Sequence, residues 1–212
     1  ASEKLFDINL EPAAMRQKYG PTQFAEQTLI ARRLVEAGVT WVTVVLENPF
    51  VSGISMPKYG TYNWDSHPVN AHIFNDAKMR LPVYDRVVTA LIEDLHARSL
   101  NRKVMLIVAG EFGRTPRISS KKGSQSGIEQ PGRDHWPNAY TILMAGAGIK
   151  AGLVYGATDS LAAYPKENAV SPGDIAATIY TLMGVDPQTR LYDHFNRPHT
   201  IGPGEPVVDL FA

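Results

Sequence analysis

The sequence has 212 residues, 44% of them hydrophobic and 20% charged, a composition that fits a globular protein with a real core and excludes collagen-like and disordered chains. Lys plus Arg and Asp plus Glu number 21 each, so no net basic field points to nucleic acid and no polybasic block points to anionic lipid. With no cysteine, disulfides, thiolate nucleophiles and cysteine-held zinc drop out, and any metal must be held by oxygen and imidazole.

In chain order, residues 22–37 carry Phe24, Thr28, Ala31 and Val35 near helical spacing between Pro21 and Gly38, which predicts a helix. Residues 39–46 (VTWVTVVL) form a β-branched apolar run of strand length, the pattern of a strand buried on both faces of a parallel sheet. Residues 48–63, rich in Pro, Gly, Ser and Tyr, have no consistent period and predict an irregular loop. Residues 83–98 set Val83, Val87, Ala90, Leu91 and Leu95 on one stripe, and 103–109 (KVMLIVA) follow as a second buried strand. Such a strand, loop, helix and strand cross over right-handed in one sheet and leave both carboxyl ends on the same rim.

Residues 119–132 (SSKKGSQSGIEQPG) approach low complexity and predict a lid or a disordered loop. Residues 140–145 (YTILMA) give a third short strand. Ser171-Pro172-Gly173-Asp174 is a capping box with proline at the first helical position; it opens a helix through Ile175, Ile179, Leu182 and Met183 that stops at Gly184. The fold class expected from these elements is α/β, with a mostly parallel sheet flanked by helices. No stretch reaches the roughly 18 uninterrupted apolar residues of a membrane span.

Three motifs carry residues capable of chemistry. Trp64-Asp65-Ser66-His67 follows the first strand; Asp65 and His67 either converge on a cation or serve as a local cap and surface polarity. Gly110-Glu111-Phe112-Gly113-Arg114-Thr115-Pro116 begins where the second strand ends, the rim where open α/β sheets bind ligands. There Glu111 is a candidate metal ligand and Arg114 a fork for a tetrahedral oxyanion, against the alternative of an internal Glu–Arg pair bracing a turn. Gly132-Arg133-Asp134-His135-Trp136-Pro137 closes the long loop, and Asp134 and His135 offer one site a carboxylate and an imidazole, or a carboxylate that orients its neighbour. For His135 to reach the same rim, the strand after it is expected to run antiparallel to its neighbours. His72, His96, His194 and His199 lie in polar or helical contexts and read as surface. A nucleophile elbow, a phosphate loop of the Walker type and a dinucleotide fingerprint are absent from the sequence.

Together with Gly146-Ala147-Gly148-Ile149-Lys150 and Gly156-Ala157-Thr158-Asp159, the three motifs resemble the domain-of-unknown-function family numbered 1501, and through it the alkaline phosphatase and sulfatase superfamily, over essentially the whole chain. The resemblance implies an alkaline phosphatase-like α/β domain of which 1–212 is the carboxyl-terminal part. It also implies an extracytoplasmic location, periplasmic or secreted. The chain opens at Ala1-Ser2-Glu3 without a methionine, which suggests a processed or cleaved product. The expected partner is therefore an amino-terminal half on a separate or cleaved chain, supplying the nucleophile and the first acidic ligand.

Carried over residue by residue, the resemblance implies a divalent metal ion (zinc, calcium, magnesium or manganese) held by Asp65, His67, Glu111, Asp134 and His135; the residue chemistry itself points to Arg114 as the catalytic cation that neutralises equatorial charge. Phe112 falls where the superfamily has a metal-binding histidine, so one metal or an altered pair is implied. The expected function is hydrolysis of phosphate or sulfate esters on a small molecule or carbohydrate. The alternative is a non-catalytic surface, scaffold or binding protein with a degenerate metal site. No nucleic acid partner and no membrane span are expected.

Overall fold

A computed structural model describes residues 3–47 and 63–212, so the predicted loop at 48–63 lies outside the described residues except for Asn63. The chain divides into two compact units: Ala1–Val104 with Arg114–Trp136, and Met105–Gly113 with Pro137–Ala212. The strands are β1 (Met105–Val108), β2 (Gly113–Arg114), β3 (Ser119–Lys122), β4 (Glu129–Gly132), β5 (His135–Trp136), β6 (Leu143–Gly146), β7 (Ala157–Thr158), β8 (Pro165–Glu167), β9 (Arg190–Tyr192) and β10 (Pro198–Thr200). Among the described residues they form only two-stranded sheets, β1 with β6, β2 with β5, β3 with β4, β7 with β8 and β9 with β10.

This overturns the expected mostly parallel sheet flanked by helices. The β1–β6, β3–β4, β7–β8 and β9–β10 pairs are antiparallel. The expected first strand, 39–46, joins no ladder among the described residues, and its Trp41 and Val45 are each 62% exposed. A short β-branched run reports only a preference for extended backbone, and its period carries no information on whether a neighbouring strand exists. Without that strand no parallel crossover forms among the described residues. β1 takes its hydrogen bonds instead from β6, with Met105 opposite Gly146 and Val108 opposite Leu143. The strand after His135 is thus antiparallel to β1, as the sequence anticipated. The expected lid or disordered loop at 119–132 is a hairpin, with Ser119 opposite Gly132 and Lys122 opposite Glu129.

The helical part of the first unit consists of α1 (Glu3–Phe6), α2 (Ala13–Tyr19), α3 (Gln23–Glu36) and α4 (Ile73–Ala97). Thr22 caps α3 by accepting the Ala25 N–H at 3.3 Å, and Phe24, Ala25, Thr28 and Leu29 face inward. Their partners on α4 are Val87, Val88, Ala90, Leu91 and Leu95. Full burial stabilises by about 1.5–3 kcal/mol for each large apolar side chain. α4 begins ten residues before the predicted 83, because His72 caps it and Pro82 sits inside it. Proline is a reasonable boundary signal, since it forfeits a helical hydrogen bond at a cost of about 3 kcal/mol, but the packed apolar stripe offsets that loss.

A charged network closes this core. Arg32 is 1% exposed and reaches Glu36 at 2.5 Å, Glu11 at 2.6 Å and Asp94 at 3.0 Å. The contacts to Glu11 and Asp94 are close without being aligned as hydrogen bonds, so their attraction is ionic. Arg98 pairs with Asp94 and Glu36, each at 2.8 Å, Arg33 reaches Glu11 at 2.5 Å, and the Tyr19 hydroxyl donates to Asp94 at 3.0 Å. Burial works to raise the Glu11 carboxyl, but the guanidinium groups of Arg32 and Arg33 outweigh it and hold Glu11 below the usual carboxylate range. Burial first, and then the neighbouring Asp94 charge, push the Tyr19 phenol far above its ordinary value.

The second unit holds β1–β6, the β7–β8 and β9–β10 hairpins and α5 (Pro172–Leu182). α5 starts where the sequence placed it: Ser171 Oγ accepts the Asp174 N–H at 3.1 Å, and the Asp174 carboxylate accepts the Ser171 N–H at 2.8 Å. It ends at Leu182 with Met183 as its cap, followed by Gly184, whose φ of 77° suits glycine. Among the described residues no helix is long and apolar enough to cross a membrane.

Removing one partner from a buried charge network leaves the other charge uncompensated, at a typical cost of about 3–5 kcal/mol. Glu11→Ala is expected to lose stability in that range in urea unfolding. A loss below about 1 kcal/mol would mean that the Arg32 network is an incidental surface cluster.

Candidate functional site

The first unit gathers its reactive side chains around the segment that follows Asn63. Trp64 fastens that segment to the helices. Its ring stacks on Phe24 at 6.4 Å between centroids, meets Tyr84 edge-on at 6.0 Å and receives the Arg80 guanidinium at 4.9 Å, while its indole N–H donates to the Leu46 carbonyl at 2.5 Å. After Trp64 the chain turns on Asp65, whose Oδ1 accepts the His67 N–H at 3.1 Å. The His67 carbonyl then accepts the N–H groups of Asn70 and Ala71 at 2.9 and 3.1 Å.

The β3–β4 hairpin grips this turn. Gln130, 2% exposed, donates its amide to the Pro68 carbonyl at 2.7 Å and accepts the Ser126 hydroxyl at 3.0 Å. Ser124 donates to the Val69 carbonyl from both its N–H and its hydroxyl, each at 2.8 Å. Gly132 passes so close that a Cβ there would stand 2.3 Å from the Pro68 nitrogen and 2.5 Å from the Ser66 oxygen. Only glycine fits this approach. One residue on, the Arg133 N–H donates to the Ser66 carbonyl at 2.9 Å.

The third segment is joined in the same way. Thr115 N–H donates to the Asp134 carbonyl at 2.9 Å, and Asp134 N–H donates to Thr115 Oγ1 at 3.2 Å. The Arg133 guanidinium donates to the carbonyls of Thr115 and Arg114 at 2.5 and 3.0 Å. The Arg114 guanidinium in turn donates to the carbonyls of Trp64 and Arg133 at 3.2 and 3.3 Å.

These joins bring Asp65, His67, Arg114, Asp134 and His135 together. His67 Nδ1 lies against Asp65 Oδ1, and Asn70 donates its amide to Asp65 Oδ2. With Asp65 taking the Nδ1 side of the imidazole, Nε2 is the nitrogen turned outward, and Asp134 Oδ1 lies 4.0 Å from it. The ring of His135 is 4.6 Å from that of His67 between centroids, tilted by 54°. Arg114 stands 3.3 Å from His67 Nδ1 and 3.8 Å from Asp65 Oδ1. Ser119 Oγ donates to the second oxygen of Asp134 at 3.4 Å. The cluster is partly open, with His67 24% and Asp134 43% exposed. Burial works to raise the Asp65 carboxyl, but the backbone N–H and ring of His67 and the amide of Asn70 outweigh it and hold Asp65 below the usual carboxylate range.

Glu111 lies in the second unit and is exposed; it belongs to the other body of the chain. Among the described residues no three histidine, aspartate or glutamate side chains stand together closely enough to hold a metal ion. Sequence reasoning missed Asn70, Gln130 and Ser119. It quoted Gly132 without a role, although a glycine beside two charged residues was a legible sign of close backbone approach. His72 caps α4, and His199 faces Asp193 at 3.4 Å on the β9–β10 hairpin.

The protein is thus a two-unit chain whose first unit carries a carboxylate–imidazole–guanidinium cluster between three interlocked loops. It belongs to the family described as protein of unknown function (DUF1501), whose model matches residues 1–211. No curated protein and no solved structure matches the chain.

The Asp65 environment gives a titration with a definite sign. A carboxyl depressed in the folded state contributes stability that is present above its unfolded pKa and lost as pH falls through the lower folded one. Carboxyl-detected NMR is expected to give Asp65 a midpoint below the unperturbed value of about 3.9, and Asn70→Ala is expected to raise it. A midpoint at or above that value would mean that His67 and Asn70 do not hold the carboxylate.

Proposed function

We propose that the cluster formed by Asp65, His67, Arg114, Asp134 and His135 is the site of a metal-dependent hydrolase of phosphate or sulfate esters. The observation that carries this reading is the pairing of His67 with Asp65 on one side and the approach of Asp134 on the other. An imidazole whose far nitrogen is held by a carboxylate is oriented and made more basic as a ligand. The 4.0 Å between His67 Nε2 and Asp134 Oδ1 is wider than the roughly 3.3 Å between two donors on a tetrahedral ion with bonds of about 2.0–2.1 Å, so the two side chains would have to rotate toward each other to share one.

The donor chemistry, two imidazoles and carboxylate oxygens, fits zinc or manganese better than a calcium cage built from oxygen alone. His67 and Asp134, with His135 as the third donor, would hold such an ion only after their side chains turn inward, since no three such groups stand close enough for it among the described residues. When bound, the ion supplies Lewis acidity at an ester oxygen. The chain's own residues do the rest. Arg114 offers a planar fork to the equatorial oxygens of a tetrahedral group. Asp65 fixes the ring of His67, and Asn70 fixes Asp65.

The ester class rests on the likeness of the three motifs to those of the alkaline phosphatase and sulfatase superfamily. The sheet arrangement lends that likeness nothing. Calorimetric titration of metal-stripped protein with zinc and manganese, followed by assay with aryl phosphate and aryl sulfate, tests the reading. Binding of one equivalent is expected, weakened at least 10-fold by Asp65→Asn as an orienting group and further by His67→Ala. Arg114→Gln is expected to lower ester turnover more than metal affinity, the smaller loss coming from the ties of its guanidinium to the carbonyls of Trp64 and Arg133. Absence of both metal binding and turnover would leave a binding or scaffold protein in place of the hydrolase.

A further inference from the structure

The second unit carries a charged depression with no role in the reading above. Its base is the β9–β10 hairpin, in which Arg190 stands directly opposite Thr200, Leu191 opposite His199 and Tyr192 opposite Pro198. Directly opposed residues share a sheet face, so Arg190 and the Thr200 hydroxyl lie side by side. Arg190, Pro198, His199, Thr200 and Pro203, all exposed, line an open surface depression of about 590 Å³. That size suits a small organic molecule and far exceeds a lone inorganic ion.

The charges on the hairpin are unevenly settled. At its tip Asp193 accepts the backbone N–H groups of Phe195 and Arg197, each at 2.9 Å, and takes the Arg197 side chain at 2.7 Å. His199 Nε2 faces the same carboxylate at 3.4 Å. The Asp193 charge is therefore matched by Arg197. Arg190 makes no ion pair among the described residues, and no carboxylate lines the depression. What that face presents is one uncompensated guanidinium and a hydroxyl, between two prolines that lack an N–H and have a fixed φ, while His199, opposite Leu191, belongs to the other face of the hairpin.

A planar fork of N–H donors beside a hydroxyl donor matches a tetrahedral oxyanion, which accepts two parallel bonds from the guanidinium and a third from the neighbour. We propose that this depression binds the phosphate or sulfate group of a small ester, with Arg190 as the anchor, Thr200 as the further donor, and the organic part of the ligand in the remaining volume. The proposal does not rest on the hydrolase reading, since none of its residues belongs to the cluster around His67.

The test is an NMR titration of the full chain, ¹⁵N-labelled, with inorganic phosphate and separately with inorganic sulfate at constant ionic strength, with chloride as the reference. Saturable shifts are expected at the Arg190 side-chain N–H and at the Leu191, His199 and Thr200 amides, with affinity reduced about 10-fold or more in Arg190→Gln and recovered in part by Arg190→Lys. Tighter binding of one anion identifies the ester type. Shifts that match chloride, that saturate only at residues outside the hairpin, or that survive Arg190→Gln would overturn the proposal. A variant that lost its dispersed spectrum would leave the wild-type hairpin shifts to decide: their presence supports the site and their absence refutes it.

Discussion

One close approach organises the first unit: the backbone of Gly132 against the turn at Ser66–Pro68. A methyl group at that position would stand within 2.3 Å of the Pro68 nitrogen, and the next N–H, that of Arg133, closes on the Ser66 carbonyl at 2.9 Å. Asp134 and His135 follow directly, so their distance from His67 is set by that contact. The buried amide of Gln130 on the Pro68 carbonyl holds the same turn from the other strand residue. The cluster is thus fixed mainly by backbone hydrogen bonds, which tolerate no shift of register without leaving buried polar groups unpaired.

Helices α3 and α5 were legible because their signals are local, whereas α1, α2 and the first ten residues of α4 were not foreseen. α3 follows the spacing of Phe24, Thr28 and their neighbours, and α5 follows the reciprocal bonds of Ser171 and Asp174, which involve no other part of the chain. Of the strands, those at 103–109 and 140–145 were legible as segments, but the sheet as a whole was not, because pairing is decided by non-local partners. The run at 39–46 has the composition of a central strand, yet Trp41 and Val45 stand out in the open. The segment at 119–132 reads as low complexity, yet Gln130 and the two glycines at 123 and 132 adapt it to the turn at 66–69. Polar side chains that bind backbone carbonyls leave no periodic trace in a sequence.

The site was legible to the extent that its chemistry is written in short motifs. Asp65, His67, Arg114, Asp134 and His135 were singled out by residue type and spacing, and they meet in one unit. Glu111 was selected by its position at the end of a presumed parallel strand, and that reasoning fails with the parallel sheet. Asn70 and Ser119 act only through Asp65 and Asp134, so nothing in their own neighbourhoods marks them. Arg114 has a double part: its guanidinium joins two carbonyls and also faces the His67–Asp65 pair, so a loss of function on replacing it combines positioning with charge.

The account stands on the meeting of the motif at 64–67 with the motif at 132–137. The most direct measurement is the nuclear Overhauser effect between the imidazole ring protons of His67 and His135, whose ring centroids lie 4.6 Å apart. A cross-peak between the two rings, lost on Gly132→Val, is the result expected. Two assigned rings with no cross-peak in the folded protein would contradict the shared site.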